Sequence, residues 1–209
     1  NSINQQALSK DQIDSVMALY SSGRLNEAIS AIKSLNENYP NVPLLFNILG
    51  ACYKAKGQLL ESVKMFETAV EMKPDYAEVH NNLGLTFMQL NKLDSAVESF
   101  KKAIAIFPGY AEAHNYLGMT FKRLNQLGAA SESYERAINI KPEFFEAHNN
   151  LGNILKALGN LDEAAISFKK TLTINPNFVE AHNNLGNIFK DLRQFDSAIK
   201  CFKNALVIK

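Results

Sequence analysis

The strongest constraint in this chain is a period, because five prolines follow one another at intervals of 34 residues without an insertion. The prolines are Pro40, Pro74, Pro108, Pro142 and Pro176, and the glycines that keep the same interval are Gly50, Gly84, Gly118, Gly152 and Gly186. A fixed period of this length predicts one small supersecondary unit that is copied along the chain and buries its apolar face by stacking on its neighbours. We therefore expect function on a long shared surface.

Each copy contains two segments with apolar residues at helical spacing. In one copy the first segment has Val79, Leu83, Phe87 and Leu90, and the second has Leu93, Ala96, Phe100 and Ile104. The joint between the two segments holds a residue that accepts the left-handed conformation, which is Gly57, Asn91, Asn125 or Gly159 in four of the copies. Because proline cannot continue a helix, the periodic proline ends the second segment. The pattern predicts helix–turn–helix pairs.

The order of these residues resembles the tetratricopeptide repeat. His80-x2-Leu83-Gly84-x2-Phe87, then Ala96-x3-Phe100 and then Pro108 follow that family's pattern, except that histidine stands where an aromatic residue is usual. The resemblance implies an all-α, right-handed superhelical solenoid of antiparallel helix pairs. We expect a single domain over 1–209 with six repeats, namely a degenerate cap at 9–42, four repeats at 43–76, 77–110, 111–144 and 145–178, and a truncated repeat at 179–209.

Composition sets limits on location and partners. The formal net charge is +1, and no apolar run is long enough to span a membrane, so we expect neither a nucleic-acid partner nor a membrane partner. Cys52 and Cys201 are interpreted as free thiols, which favours a reducing, cytoplasmic location. The chain begins without Met and stops before the next periodic proline, so we interpret it as a piece of a longer protein.

No catalytic or cofactor-binding motif is present on inspection. The four histidines, His80, His114, His148 and His182, are too widely spaced along a helical stack to share a metal, and we interpret them as packing residues in the aromatic slot. The glycines are explained by helix packing, and no phosphate-binding loop or nucleophile elbow occurs. We therefore expect no enzymatic activity, no cofactor and no metal.

A second, polar stripe runs along the first segments and forms the candidate site. Its members are Asn81, Asn82, Asn115, Tyr116, Asn149, Asn150, Asn153, Lys156, Asn183, Asn184, Asn187 and Lys190. The family resemblance places such positions on the concave face of the superhelix. A carboxamide offers both a donor and an acceptor, so a row of them suits an extended polypeptide backbone. The string from Glu146 to Asn153 also resembles the asparagine ladder in the repeat domain of O-linked N-acetylglucosamine transferases.

We thus expect a protein-interaction scaffold that binds extended polypeptide along its concave groove. The carboxylate-clamp subtype fits less well, because Asn149 and Asn183 stand where basic residues are expected. Two alternatives remain open. In the first, the chain is a substrate-recruiting arm of a larger glycosyltransferase, sulfotransferase or hydroxylase. In the second, it is a structural spacer that assembles through its ends. The last helix leaves Ile199 and Leu206 without a successor, so we also expect weak self-association through the C-terminal end.

Overall fold

The computed structural model describes residues 8–208, which form twelve α-helices and no strand. A first and a second helix alternate in each repeat. The first helices are α1 (Lys10–Ser21), α3 (Pro43–Ala55), α5 (Ala77–Gln89), α7 (Ala111–Arg123), α9 (Phe145–Ala157) and α11 (Val179–Asp191). The second helices are α2 (Leu25–Asn38), α4 (Leu59–Met72), α6 (Leu93–Ile106), α8 (Leu127–Ile140), α10 (Leu161–Ile174) and α12 (Phe195–Ile208). The predicted all-α class and the helix pairs are confirmed.

The turn inside each pair has the predicted left-handed residue. Gly57 and Gly159 have φ of 74° and 83°, and Asn91 and Asn125 have φ of 57° and 58°. Glycine lacks the Cβ that opposes this conformation, and asparagine tolerates it. The last pair differs, because Arg193 adopts φ 60° at the same position. The turn geometry is therefore conserved across the pairs even where the side chain does not favour it.

The periodic glycines lie where the two helices of a pair cross. A Cβ added to Gly84 would lie 2.6 Å from the ring of Phe100, and one added to Gly118 would lie 2.7 Å from the ring of Tyr134. Both rings are fully buried. The same contact recurs in the other pairs, at Gly50 with Phe66, Gly152 with Phe168 and Gly186 with Phe202. Glycine thus makes room for the ring that fills the core of each pair.

Contacts along the chain separate it into two compact units, one up to Phe107 and one from Pro108 onward. In the first unit each helix from α1 to α6 packs against the next helix along the chain. The first helices α3 and α5 also contact each other. In the second unit α7 to α12 do the same, and α9 contacts both α7 and α11. Each unit therefore carries its own surface of neighbouring first helices, which we call its first-helix face. The prediction of a single domain with the six repeat bounds stays a prediction.

Two further findings concern the cysteine thiols and the hydropathy of the helices. Cys52 and Cys201 are free and buried, and burial raises the pKa of both thiols. Between residues 8 and 208, no helix combines the length and the hydropathy that a membrane span requires.

Candidate functional site

Four asparagines at one repeat position, three of them members of the polar stripe, lie inside the first-helix faces. We call them the inner asparagines, and they are Asn47 (4% exposed), Asn81 (5%), Asn115 (4%) and Asn149 (3%). Asn183 has the equivalent position on α11 and is half-buried. A buried carboxamide needs hydrogen-bond partners, so these side chains serve the packing of neighbouring helices. Three of the predicted site residues are thus buried, and two of them, Asn115 and Asn149, form hydrogen bonds to a neighbouring first helix that the stripe pattern did not reveal.

In the first unit an inner asparagine joins two first helices. The Asn47 Nδ2 group on α3 donates to Oε1 of Glu78 on α5 at 3.0 Å. The Nδ2 group of Asn82, also on α5, donates to Oδ1 of Asn47 at 3.0 Å. Burial raises the pKa of the neighbouring Tyr76 phenol, and the charge of Glu78 raises it further, against the effect of a hydrogen bond with Asn47. Both polar ends of Asn47 are therefore satisfied within the protein.

In the second unit the same positions form a longer network. Asn150 on α9 donates to Oδ1 of Asn115 on α7 at 3.1 Å. On α9, Asn149 and Asn153 both donate to Oε1 of Glu180 on α11, at 3.1 and 3.4 Å. The bond between α7 and α9 thus joins two amides, and the two bonds between α9 and α11 join an amide to a carboxylate. They hold successive first helices in register while leaving part of the network exposed.

The outer asparagines are Asn82, Asn150 and Asn184, and all three are half-buried. Each donates one amide hydrogen to the preceding first helix; for Asn184 the acceptor is Oδ1 of Asn153 at 3.0 Å. Among residues 8–208, no hydrogen bond occupies their Oδ1 atoms. The remaining predicted site residues are half-buried, except Lys190, which is exposed; they are Tyr116, Asn153, Lys156, Asn183 and Asn187. An outer row of acceptors therefore faces solvent beside an inner row that ties the helices together.

A cavity of about 300 Å³ opens on the first-helix face of the second unit. Its apolar walls are Tyr116 and Met119 on α7 together with Phe144 and Phe178, the residues that precede α9 and α11. The Phe178 ring lies edge-to-face against Phe145, with the ring centroids 5.2 Å apart and the planes at 68°. That contact fixes the orientation of the Phe178 wall. Cavities of this size accept a single side chain or a small ligand.

The polar part of the cavity wall consists of acceptors and carboxamides. Glu146 and Glu180 contribute carboxylates, and Asn149 and Asn150 contribute side-chain amides. The Oδ1 atom of Asn149 is buried and has no hydrogen-bond partner in the described chain. Outside the wall, the Lys141 ammonium pairs with Glu112 at 3.0 Å, and it also lies 4.8 Å from the centroid of the Phe144 ring, so one ring of the wall already has a cation beside it. Within residues 8–208, no ion pair involves Glu146 or Glu180.

The histidines make a contact that the sequence analysis missed. His80, His148 and His182 each place Nε2 at 2.8 to 2.9 Å from the carbonyl oxygen of the proline six residues earlier, and His114 does so at 3.4 Å. With the proton on Nε2, the ring donates to that oxygen. The constant spacing from proline to histidine was the available signal. Among the described residues, no three His, Cys, Asp or Glu side chains are placed to hold a metal.

This architecture defines a class of protein. Helix pairs that stack on their neighbours within each unit and present carboxamides on adjacent first helices are the architecture of a helical-repeat interaction scaffold. A family model described as "TPR repeat" matches residues 50–90 and 120–159, and one described as "Tetratricopeptide repeat" matches 77–110, 145–178 and 179–209. The chain belongs to the tetratricopeptide repeat family.

Solved structures agree on the fold. A crystal structure of MamA is 28% identical, with a TM-score of 0.73, and the match covers 77% of this chain and 94% of MamA. YrrB, "a TPR protein with an unusual peptide-binding site", is 20% identical with a TM-score of 0.70, and the match covers 86% of this chain and 92% of YrrB. PilF from Pseudomonas aeruginosa is 13% identical with a TM-score of 0.83, covering 91% and 87%. None of the curated protein sequences matches the chain significantly.

Proposed function

We propose that the chain binds an extended polypeptide segment of a partner protein along its first-helix faces. The observation that supports this proposal is the set of outer asparagine acceptors on α5, α9 and α11, which are not occupied within the described chain. A peptide N–H is the natural donor to such an oxygen, whatever side chain the peptide carries. The proposal assigns binding to this chain and no chemical step. YrrB, a protein of the same fold, is named for a peptide-binding site.

The spacing of the row supports the extended form of the ligand. Packed helices lie roughly 8–10 Å apart, and an extended peptide advances about 3.3 Å per residue. On the successive first helices α9 and α11, Asn150 and Asn184 would therefore meet peptide residues about three apart. Because the bonds go to the peptide backbone, affinity is expected to depend little on peptide sequence outside the anchored positions.

Calorimetry with a short unstructured peptide of Ala, Ser and Gly that carries one central arginine tests the proposal. The triple variant Asn82→Ala, Asn150→Ala, Asn184→Ala should lose about 0.5–1.5 kcal/mol of binding for each amide that meets the peptide. Asn139→Ala on α8 and Asn204→Ala on α12 are the matched controls, because both asparagines are exposed on second helices. Equal affinity of the triple variant and the controls would contradict the proposal.

A second proposal concerns self-association through α12. Ile199, Leu206 and Val207 are 51%, 73% and 87% exposed, so this helix presents an apolar surface to solvent. Apolar surface of this kind favours contact with a second copy. Sedimentation over a wide concentration range is expected to show weak association that Leu206→Glu abolishes. A chain that stays monomeric at high concentration would contradict this second proposal.

We also propose a cytoplasmic location. It is supported by the free, buried thiols of Cys52 and Cys201, which fit a reducing compartment. Fluorescence microscopy of a tagged chain tests it, and accumulation outside the cytoplasm would contradict it.

A further inference from the structure

The cavity on the second unit combines flat apolar walls with acceptors at its rim. Tyr116, Phe144 and Phe178 supply three aromatic rings, and Glu146 and Glu180 supply two carboxylates. No ion pair in the described chain neutralises these carboxylates. A ligand group that suits this wall must therefore be cationic and must tolerate contact with aromatic rings.

The contacts of Glu180 show how much of that charge remains available. Its Oε1 atom accepts the amides of Asn149 and Asn153, which fix the orientation of the carboxylate. No hydrogen bond in the described chain reaches its Oε2 atom. The Glu146 side chain is exposed and forms no hydrogen bond within residues 8–208. Glu180 is thus preorganised, and Glu146 is free to move toward a bound cation.

A second observation points to a donor-rich ligand. Asn149 lines the cavity, and its Oδ1 atom is buried without a partner among the described residues, as is Oδ1 of Asn81 in the first unit. A buried acceptor without a donor costs free energy. A rotation of the Asn149 side chain toward the cavity would let a ligand N–H recover that cost.

We propose that this cavity is a specificity pocket for an arginine side chain of the bound polypeptide. This inference rests on the proposed function, since the pocket opens on the face that the peptide is proposed to follow. The guanidinium is planar, stacks on aromatic rings, and presents five N–H donors in a fixed fork that matches carboxylates. Lysine brings a compact charge with no flat surface to stack, so it fits the rings less well. Glutamate, aspartate and a peptide C-terminus meet like charge and are rejected.

The position of the pocket fits one peptide side chain between backbone contacts. Asn150 lines the cavity and also belongs to the outer row, so the same residue meets the backbone and borders the pocket. In the first unit the residues that correspond to Tyr116 and Met119 are Ile48 and Ala51, which lack a ring and a long side chain. The aromatic wall on the first helix is therefore specific to the second unit.

The test compares peptides that differ in one side chain. The Ala, Ser and Gly peptide is prepared with a central arginine, citrulline, lysine or norleucine, and binding is followed by calorimetry and by NMR shifts of the protein amides. Arginine should bind about tenfold more tightly than citrulline, which has the same shape without the charge, and the preference should shrink at high ionic strength. Lysine should fall between the two.

Variants of the wall test the same pocket from the protein side. Glu146→Gln and Glu180→Gln should each reduce the arginine preference about threefold, and the double variant should abolish it. The matched control is Glu78→Gln in the first unit. Glu78 accepts a hydrogen bond from an inner asparagine, as Glu180 does, but it lies outside this cavity. Its arginine preference should be unchanged. Thermal melts of all four variants establish that each one is folded.

The outcomes separate the pocket from the proposed function. If all four peptides bind equally and shift amides of α9 and α11, peptides bind but the arginine pocket is wrong. If lysine matches arginine, the pocket recognises charge alone and the specificity proposed here is overturned. If no peptide binds, the proposed function fails and the pocket fails with it. Retention of the full arginine preference by the double variant would likewise overturn the assignment.

Discussion

The two units build their first-helix faces from the same residues but close them differently. In the first unit Asn47 uses both polar ends, donating to Glu78 and accepting from Asn82. In the second unit Asn149 donates to Glu180, while its Oδ1 atom is left without a partner. Because Oδ1 of Asn81 in the first unit is also unpartnered, what distinguishes Asn149 is the cavity that it lines. One inner asparagine therefore completes the scaffold, and the other borders an open site.

The difference teaches that scaffold and recognition are separable on this surface. The helix pairs, turns and glycine crossings recur in both units, so they set where each side chain lies. The cavity depends on side chains that the period does not conserve, above all Tyr116 and Met119. A repeat array can thus change its ligand preference at a few positions while its fold is kept.

The largest expected effect comes from breaking what the two units share. Gly84→Ala in the first unit and Gly118→Ala in the second both place a methyl group less than 3.0 Å from a buried ring. Each should cost about 1–3 kcal/mol of unfolding free energy, and the two costs should be similar. Gly128→Ala is the control, because a Cβ there meets nothing within 4 Å, and it should be neutral or stabilise by about 0.5–1 kcal/mol. Chemical denaturation measures all three, and markedly unequal costs for Gly84→Ala and Gly118→Ala would show that the units do not share a crossing.

The next prediction sharpens the contrast between the inner asparagines. Asn47→Ala removes two hydrogen bonds and should destabilise by about 1–3 kcal/mol, since each is worth about 0.5–1.5 kcal/mol. Asn149→Ala removes one bond together with an unpartnered buried oxygen, so it should cost about 1 kcal/mol or less. Denaturant titration of the two variants decides the order. An equal or reversed order would mean that Asn149 is as fully bonded as Asn47.

A smaller effect concerns the turns. Arg193 adopts a left-handed conformation in the second unit where Gly57 does so in the first. Because a side chain opposes that conformation, Arg193→Gly should stabilise the protein by about 0.5–1 kcal/mol. The reverse change, Gly159→Arg, should destabilise by a similar amount. Melting curves that move in the same direction for both variants would contradict this explanation.

The smallest effect is a pH dependence at His114. Burial lowers the pKa of this imidazole and the charge of Arg136 lowers it further, although the hydrogen bond to the Pro108 carbonyl opposes both. A histidine whose pKa is depressed in the folded state favours folding above its unfolded pKa, and this stability is lost as the pH falls through the folded pKa. Thermal stability should therefore decline between about pH 7 and 5, and His114→Phe should reduce the decline. An unchanged pH profile in the variant would remove His114 from this account.

Much of the fold was predictable because it depends on local rules. The period of Pro74 and Pro108 set the repeat, and Gly57, Asn91, Asn125 and Gly159 marked turns that the structure confirms. Gly84 predicted a close helix crossing, which the ring of Phe100 occupies. Each of these signals lies in the backbone preference of one residue, so it is readable without knowledge of its neighbours.

The site was less predictable because its properties depend on several helices at once. A helical period places Asn81 and Asn149 on one side of a helix, but it does not state how deeply the next first helix covers them. The cavity needs side chains from α7 and α9 and from the approach to α11, which the sequence separates by whole repeats. The left-handed conformation of Arg193 in the turn before α12 likewise had no signal in the sequence, because arginine does not favour that conformation.

Binding of an extended polypeptide to the first-helix faces can be located with a spin-labelled peptide. A spin label is placed at one end of the arginine peptide, and paramagnetic broadening is recorded for the backbone amides of the protein. The account predicts broadening along α7, α9 and α11, with amides on the exposed sides of α8 and α10 unaffected. Broadening centred on the second helices, or none at a peptide concentration that saturates calorimetry, would contradict it.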